Sequence, residues 1–419
     1  MRTRKEAKVE ATCAVSSDGL SSLPLEMKVK ILSLLTIEEA VRCSTLSSTW
    51  RNTWTDMPKV FLCDGNISRT KFVTLVDMVL SLHIGRIKEF DISGSKNYHD
   101  VFARWMLMLS RRSPSSIKIK LTSGPEYRIP SCLFSISYLE DLDLQNCIIS
   151  LPRVFQGFKS LSCLNLEDFS STDSDIQNLI CFCPVLIDLR LSLFEGISCL
   201  IIQAPNLEYL DVDGAFEDIH LDAPNLEEAT ISLDKDEEYQ SVPVVHDEKS
   251  FLNQSLGSLN DIKTLNIGGY FLTYLSKGRV PTKLPAVLDR LEYIRLTICF
   301  WDPREVLTAC SLFQNAPNLK KVVMLSHPLT EDFEPITTRD HDQASIQELS
   351  LQMFHLVTVS VEDFLGLDYE VDFVGKLLSW APALEEAKIE WKGEIDRGMV
   401  FKKLLALPRV SPKAKVIVT

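Results

Sequence analysis

The sequence predicts an α/β solenoid: a small helical unit at the N-terminus, then a stack of short repeats whose parallel strands line one concave sheet. Three observations predict it. A pattern of apolar-x-x-apolar-x-apolar occurs ten times between residues 139 and 389. Most copies stand 19 to 29 residues apart, enough for one strand and one return segment but too few for an independent domain. Outside this pattern, "LSSTWRNTW" at 46–54 places Leu46, Trp50 and Trp54 four residues apart, the spacing of one apolar helix face.

The N-terminal unit follows from local signals. Pro24 is tolerated at a helix start, and Ile31, Leu32 and Leu35 build an apolar face behind it. Thr36-Ile37-Glu38-Glu39 is a capping-box sequence for a second helix. A unit of about 40 residues is too small to bury all its apolar surface alone, so it needs a partner.

The repeats come next. "LEDLDL" at 139, "LSCLNL" at 161, "LIDLRL" at 186, "LEYLDV" at 207, "LEEATI" at 226, "IKTLNI" at 262, "LEYIRL" at 291, "LKKVVM" at 319, "IQELSL" at 346 and "LEEAKI" at 384 carry the pattern. Their lengths are those of leucine-rich repeats except for gaps of 36 and 38 residues, which read as insertions. The first insertion holds "DKDEEYQSVPVVHDE", expected to bulge from the stack, and then "SFLNQSLGSLNDI", whose apolar spacing fits a helix. The second holds "DYEVDFVGKLLSW", a helix expected to end at Trp380 before a proline. "IKEFDI" at 87 and "SIKIKL" at 116 read as earlier, less regular strands, so the stack begins just after residue 60 with ten to twelve strands in all. "APNL" at 204, 223 and 316 feeds the next strand each time, a place where proline is tolerated.

Side chains alternate along a strand, so the residues between the inward apolar positions line the concave face. These are Asp141, Asp143, Asn165, Asp188, Arg190, Tyr209, Asp211, Asp213, Glu228, Asn266, Tyr293, Arg295, Lys321, Glu348 and Lys388. The first half is acidic. Arg190, Tyr209, Tyr293 and Arg295, with Asp211 beside them, are the candidate binding residues, because Tyr and Arg are enriched at protein-binding hot spots.

Composition excludes several classes. A net charge of −13 without a Lys/Arg stripe argues against nucleic acid. No apolar run reaches membrane-spanning length and "MRTRK" does not begin a signal peptide, so nucleus or cytoplasm is expected. Eleven scattered cysteines suit a reducing compartment, and Cys181-Phe182-Cys183 lacks the second pair that a zinc site would need, so no metal or other cofactor is expected. Seven scattered histidines, no phosphate loop and no nucleophile elbow leave no active site. His341-Asp342 reads as a solvated turn, and "STDSDIQNL" as an acidic helix N-terminus.

Residues 20–54 resemble the F-box family, with a Leu-Pro start, an Ile-Leu-x-x-Leu helix and a closing Leu-Ser-x-x-Trp-Arg-x-x-Trp. Leu23, Pro24, Ile31, Leu32, Leu35, Val41, Leu46, Ser47, Trp50, Arg51 and Trp54 carry the match; Leu25 stands where an acidic residue is common. The resemblance implies docking on a Skp-type adaptor and, through it, on a cullin scaffold. The implied docking residues are Leu23, Pro24, Ile31, Leu32, Leu35, Val41, Leu46, Trp50 and Trp54. Residues 357–391 look like the FBD region of plant F-box and leucine-rich-repeat proteins, through Phe364, Gly366, Glu370, Leu377, Leu378, Ala381, Pro382, Leu384 and Ile389. The organisation expected is a flexible tail (1–17), F-box (18–58), leucine-rich repeats (60–356), then an FBD region and C-terminal cap (357–419). Such a chain would be the non-catalytic, substrate-recognising subunit of an SCF-type ubiquitin ligase, presenting an unknown protein client. A scaffold F-box protein outside any ligase, and a small-molecule hormone receptor using the concave face, are the alternatives.

Overall fold

The computed structural model describes residues 19–65, 67–234, 250–257, 259–277, 280–281, 284, 287–327, 351–393, 395 and 397–419. The chain starts with two short helices, α1 (Leu25–Leu32) and α2 (Ile37–Cys43). The capping box of α2 is formed: Glu39 N–H donates to Thr36 Oγ1 at 3.3 Å, and Thr36 N–H to the Glu39 carboxylate at 3.0 Å.

The helix expected over 46–54 is absent. Turns run through these residues into a 3-10 helix, Thr53–Asp56. The cause is composition, since Ser and Thr side chains offer the backbone local partners that compete with a helix. Ser47 Oγ accepts from Thr49 N–H at 3.2 Å, and Thr55 Oγ1 donates to Asn52 O at 2.7 Å. Leu46 is therefore 75% exposed while Trp50 and Trp54 are buried, so the three do not share a face.

From there strand and return segment alternate. In chain order come β1 (Lys59–Cys63), α3 (Arg69–Leu82), β2 (Glu89–Gly94), α4 (His99–Ser110), β3 (Ser116–Leu121), β4 (Tyr127–Arg128), β5 (Asp141–Ile148) and β6 (Cys163–Ser170). The middle of the chain holds α5 (Asp173–Cys181), β7 (Asp188–Glu195), β8 (Cys199–Gln203), β9 (Tyr209–Gly214), β10 (Asp218–Asp222), β11 (Glu228–Leu233), α6 (Phe251–Leu256), β12 (Thr264–Gly269) and α7 (Phe271–Leu275). The last part holds β13 (Tyr293–Ile298), α8 (Pro303–Gln314), β14 (Lys321–Ser326), β15 (Thr358–Phe364), α9 (Asp368–Trp380), β16 (Glu386–Trp391), α10 (Arg397–Ala406) and β17 (Lys415–Val418).

Among the described residues, fifteen strands form one sheet in the order β1-β2-β3-β5-β6-β7-β9-β11-β12-β13-β14-β15-β16-β17, with β4 attached to β5. Every pairing is parallel, including β9 with β11. In two repeats the return segment is a strand, and β8 and β10 pair as a separate two-stranded sheet. Alternation gives the main sheet one buried face: Leu142, Leu164, Leu189, Leu210, Ala229, Leu265, Ile294 and Val322 follow one another across eight strands in register.

Two differences from the expected strands concern register. β14 pairs directly with β15, which carries the "LVTVSV" segment at 356–361, and "LVTVSV" fits the same apolar pattern. Most of "IQELSL", Glu348, His341, Asp342, most of "DKDEEYQSVPVVHDE" and the N-terminal tail lie outside the described residues. At the C-terminus "AKVIVT" adds β17 to the sheet, so the stack extends past Trp391.

The "APNL" cue has a structural role beyond its proline. Asn206 donates to Pro184 O, Asn225 to Pro205 O and Asn318 to Asp289 O, each at 2.8 Å, tying one repeat to the turn of the previous one. Stacked bulges mark the strand ends: Asn146, Asp168 and Leu193 have φ of 57°, 51° and 52°, and pairing skips all three. Asn and Asp tolerate this left-handed conformation, whereas Leu193 adopts it at a cost on the order of 1 kcal/mol. Gly366 needs its glycine twice over, with φ of 83° and a position where a Cβ would stand 2.5 Å from the Trp391 ring.

Candidate functional site

Two surfaces hold the residues singled out by sequence. The first is the N-terminal unit. Its core is fixed by Leu32, Ile37, Ala40, Trp50 and Trp54, all buried. Lys28 is buried too, with its Nζ 5.7 Å from the Trp50 ring centroid and donating to Ser21 O at 2.9 Å. Of the expected docking residues, Leu32, Trp50 and Trp54 pack into the chain's own core and hold the surface helices in place. The junction to the stack is also closed. Thr55 O accepts from Ile84 N–H and Gly85 N–H, and His83, buried, sets its ring nitrogens 2.8 Å from Met57 O and 3.0 Å from Gly85 O. Burial holds the His83 imidazole below its ordinary pKa.

What remains outward is strongly apolar. Leu34 is 85% exposed and Leu46 75%, and Leu20, Leu25, Met27, Ile31 and Leu35 are exposed with them. Pro24 is exposed, Leu23 and Val41 half-buried. Leu20, Leu25, Met27 and Leu34 were not among the docking candidates. The excess of apolar residues in 20–35 was the available signal, but helical periodicity assigned only one face.

The second surface is the open face of the sheet. Register places Asp143, Asn165, Arg190, Asp211, Thr230, Asn266 and Arg295 side by side across seven strands. Tyr209 lies beside Asp188, and Tyr293 beside Lys321. Arg190, Tyr209 and Asp211 are brought together on the adjacent strands β7 and β9. Tyr293 and Arg295 stand three strands further along, about 14 Å away at ordinary strand spacing.

The arginines already have partners. Arg190 holds Asp188 with two bonds, at 3.0 and 2.9 Å, and Arg295 holds Glu362 at 2.5 and 3.3 Å. Lys321 Nζ sits 5.3 Å from the Tyr293 ring centroid. Tyr209 is 42% exposed, whereas Tyr293 is half-buried. Burial pushes the Asp211 carboxyl above its ordinary range; Arg190 opposes the shift, and Asp213 and Asp188 add to it. Elsewhere in the acidic half the charges are paired: Asp141 lies 3.7 Å from Lys118 Nζ, and Asp143, itself buried, 3.3 Å from Lys120 Nζ, which leaves Asp211 and Asp213 as the neighbouring like charges.

Comparison with known proteins gives these surfaces their context. The F-box domain profile matches residues 20–62, and a profile for the LRR repeats of the FBD-associated F-box protein At5g56370 matches residues 103–324. The Arabidopsis thaliana F-box/FBD/LRR-repeat protein At1g13570 is 34% identical over 418 residues, covering 96% of this chain and 98% of that protein. The chain belongs to the F-box/FBD/leucine-rich-repeat family. Other Arabidopsis thaliana relatives are the putative F-box/FBD/LRR-repeat protein At5g44950, 31% identical over 42% of each chain, and the F-box protein At5g03100, 26% identical over 62% of this chain and 91% of its own. An F-box is generally a docking module for Skp-type adaptors, so the exposed leucines of this F-box/FBD/leucine-rich-repeat chain lie in the segment where a partner is expected. The names of its relatives describe modules and no reaction, which suits an adaptor more than a catalyst.

Proposed function

We propose that the chain is the substrate-recognition subunit of an SCF-type (Skp-cullin-F-box) ubiquitin ligase. Residues 18–58 dock a Skp-type adaptor that links to a cullin, residues 60–356 read a protein client, and 357–419 complete the stack. The observation that carries this reading is the number of exposed large apolar residues in one short segment, Leu25, Met27, Ile31, Leu34, Leu35 and Leu46, on a module whose own core is already filled. Each leucine that a partner covers fully contributes about 1.5–3 kcal/mol. Nuclear or cytoplasmic residence goes with the proposal, since the ligase machinery works there.

The client reading rests on the open face. Tyr209 is the proposed anchor, with Arg190 and Asp211 beside it and Tyr293 and Arg295 as a second contact. Asp141, Asp143, Asp188, Asp211 and Asp213 steer a basic segment of the client toward them. Catalysis of ubiquitin transfer would belong to other chains, and this one supplies proximity and orientation.

Co-purification with a Skp-type adaptor tests the docking half. Leu34→Arg combined with Leu46→Arg leaves the fold intact by circular dichroism and removes the adaptor; an adaptor that stays bound rules the docking surface out. For the client half, Tyr209→Ala costs about 2 kcal/mol in client binding and leaves the adaptor bound. Normal client binding by both Tyr209→Ala and Tyr293→Ala would move the client off the open face.

A further inference from the structure

The return strands β8 and β10 carry a cluster that the open face and the F-box do not use. Register sets Asp218 beside Cys199, and His220, two residues along β10, shares their side of the small sheet. The Cys199 thiol, an Asp218 carboxylate oxygen and a His220 ring nitrogen all lie within 4.8 Å of one another, on partly exposed residues. His220 Nδ1 is buried without a hydrogen-bond partner and stands 3.7 Å from Asp218 Oδ2.

An outer layer holds these groups in place. Tyr274 of α7 donates its hydroxyl to Asp218 Oδ1 at 2.6 Å. Gln254 Nε2, on α6, donates to Asp218 Oδ1 at 3.2 Å and Oδ2 at 3.1 Å and lies 2.6 Å from His220 Nε2. This is the arrangement that metal sites use, with carboxylate and imidazole each oriented by a second residue.

We propose that Cys199, Asp218 and His220 bind a divalent transition-metal ion, zinc being the one whose preferences match a thiolate, imidazole and carboxylate set, with water as the fourth ligand. Hard cations such as calcium and magnesium are disfavoured because two of the three donors are not oxygen. Ligation through Nδ1 leaves the proton on Nε2. Turning the Gln254 amide over lets Oε1 accept that proton at the cost of its donation to Asp218, whose carboxylate is then oriented by Tyr274 and the metal.

The site joins the return segments of two successive repeats to α6 and α7, so metal binding stabilises the middle of the stack. Cobalt serves as the spectroscopic probe. The full chain, stripped with chelator and titrated with Co²⁺, develops one equivalent of visible d–d absorption and a near-ultraviolet thiolate charge-transfer band, which Zn²⁺ displaces. Cys199→Ser and His220→Asn abolish the band, and Gln254→Ala, which removes no ligand, weakens cobalt binding about 10- to 100-fold. Cys63→Ser and Cys181→Ser, at exposed cysteines, leave it unchanged. Absence of the band in the wild-type chain, or its survival in folded Cys199→Ser or His220→Asn, overturns the assignment. So does a Gln254→Ala chain that binds cobalt as tightly as the wild type.

Discussion

The F-box unit and the repeat stack are both leucine-rich, and they treat their leucines differently. In the stack, the period of two puts Leu142, Leu164, Leu189 and Leu210 in one row beneath the sheet, each no more than 3% exposed. In the F-box unit, Leu20, Leu25, Leu34 and Leu46 are all more than half exposed while Leu32 is 1% exposed. A repeat hands its apolar face to the next repeat, so the stack saturates itself. A unit of about 40 residues has too little interior to do the same. The lesson is that apolar content alone does not report stability; what matters is whether the partner face lies in the same chain.

The comparison can be broken most sharply through core residues of the two regions. Trp54→Ala in the F-box unit and Leu189→Ala in the stack each empty a packed site, with losses of about 3–5 and 2–5 kcal/mol respectively in urea unfolding. A loss below about 1 kcal/mol at Trp54 would mean that the F-box core is not fixed without its partner.

A buried acid in the stack gives a pH effect without counterpart in the F-box unit. Glu305 on α8 is buried, accepts from Cys299 N–H at 2.8 Å and Thr273 Oγ1 at 2.7 Å, and burial pushes its carboxyl up to about 8. The folded chain therefore holds a proton there that the unfolded chain releases at its ordinary carboxylate pKa. Stability contributed by that proton is full below the unfolded pKa and falls as pH rises toward about 8. Glu305→Gln should flatten this slope in denaturation midpoints measured from pH 5 to pH 8, and an unchanged slope would assign it to other groups.

Smaller effects sharpen the comparison. Asn225→Ala removes the bond to Pro205 O and should cost about 1 kcal/mol, since the carbonyl keeps access to water. Leu34→Ala should change stability by less than about 0.5 kcal/mol, as expected for a side chain that touches little of its own chain. A large destabilisation by Leu34→Ala would mean that the exposed strip has an intramolecular role after all.

Much of this architecture was legible because period-two alternation and capping are local. The capping box at Thr36 and Glu39, the helix ending at Trp380, and the strands at 141, 163, 188, 209, 228, 264, 293, 321 and 386 all follow from residues within a few positions of one another. β15 is less legible because "LVTVSV" follows "IQELSL" with the same pattern within about ten residues, and its place beside Lys321–Ser326 comes from strand pairing. β1 and β17 have weaker apolar patterns because each sits at a sheet edge. "LSSTWRNTW" looked helical by spacing, but spacing does not weigh the Ser and Thr hydroxyls that turn the backbone.

Sequence by itself determined the repeat, the all-parallel sheet that so short a period requires, and the row of polar residues along its open face, since each depends on alternation within one strand. Tertiary structure decided which large apolar residues of the F-box unit stay outside. It alone paired Arg295 with Glu362, and brought Cys199, Asp218 and His220 together from two return strands. The reason is the same in each case: local periodicity says which side chains share a face, but which faces meet depends on how neighbouring segments register and on whether a packing partner lies in the chain.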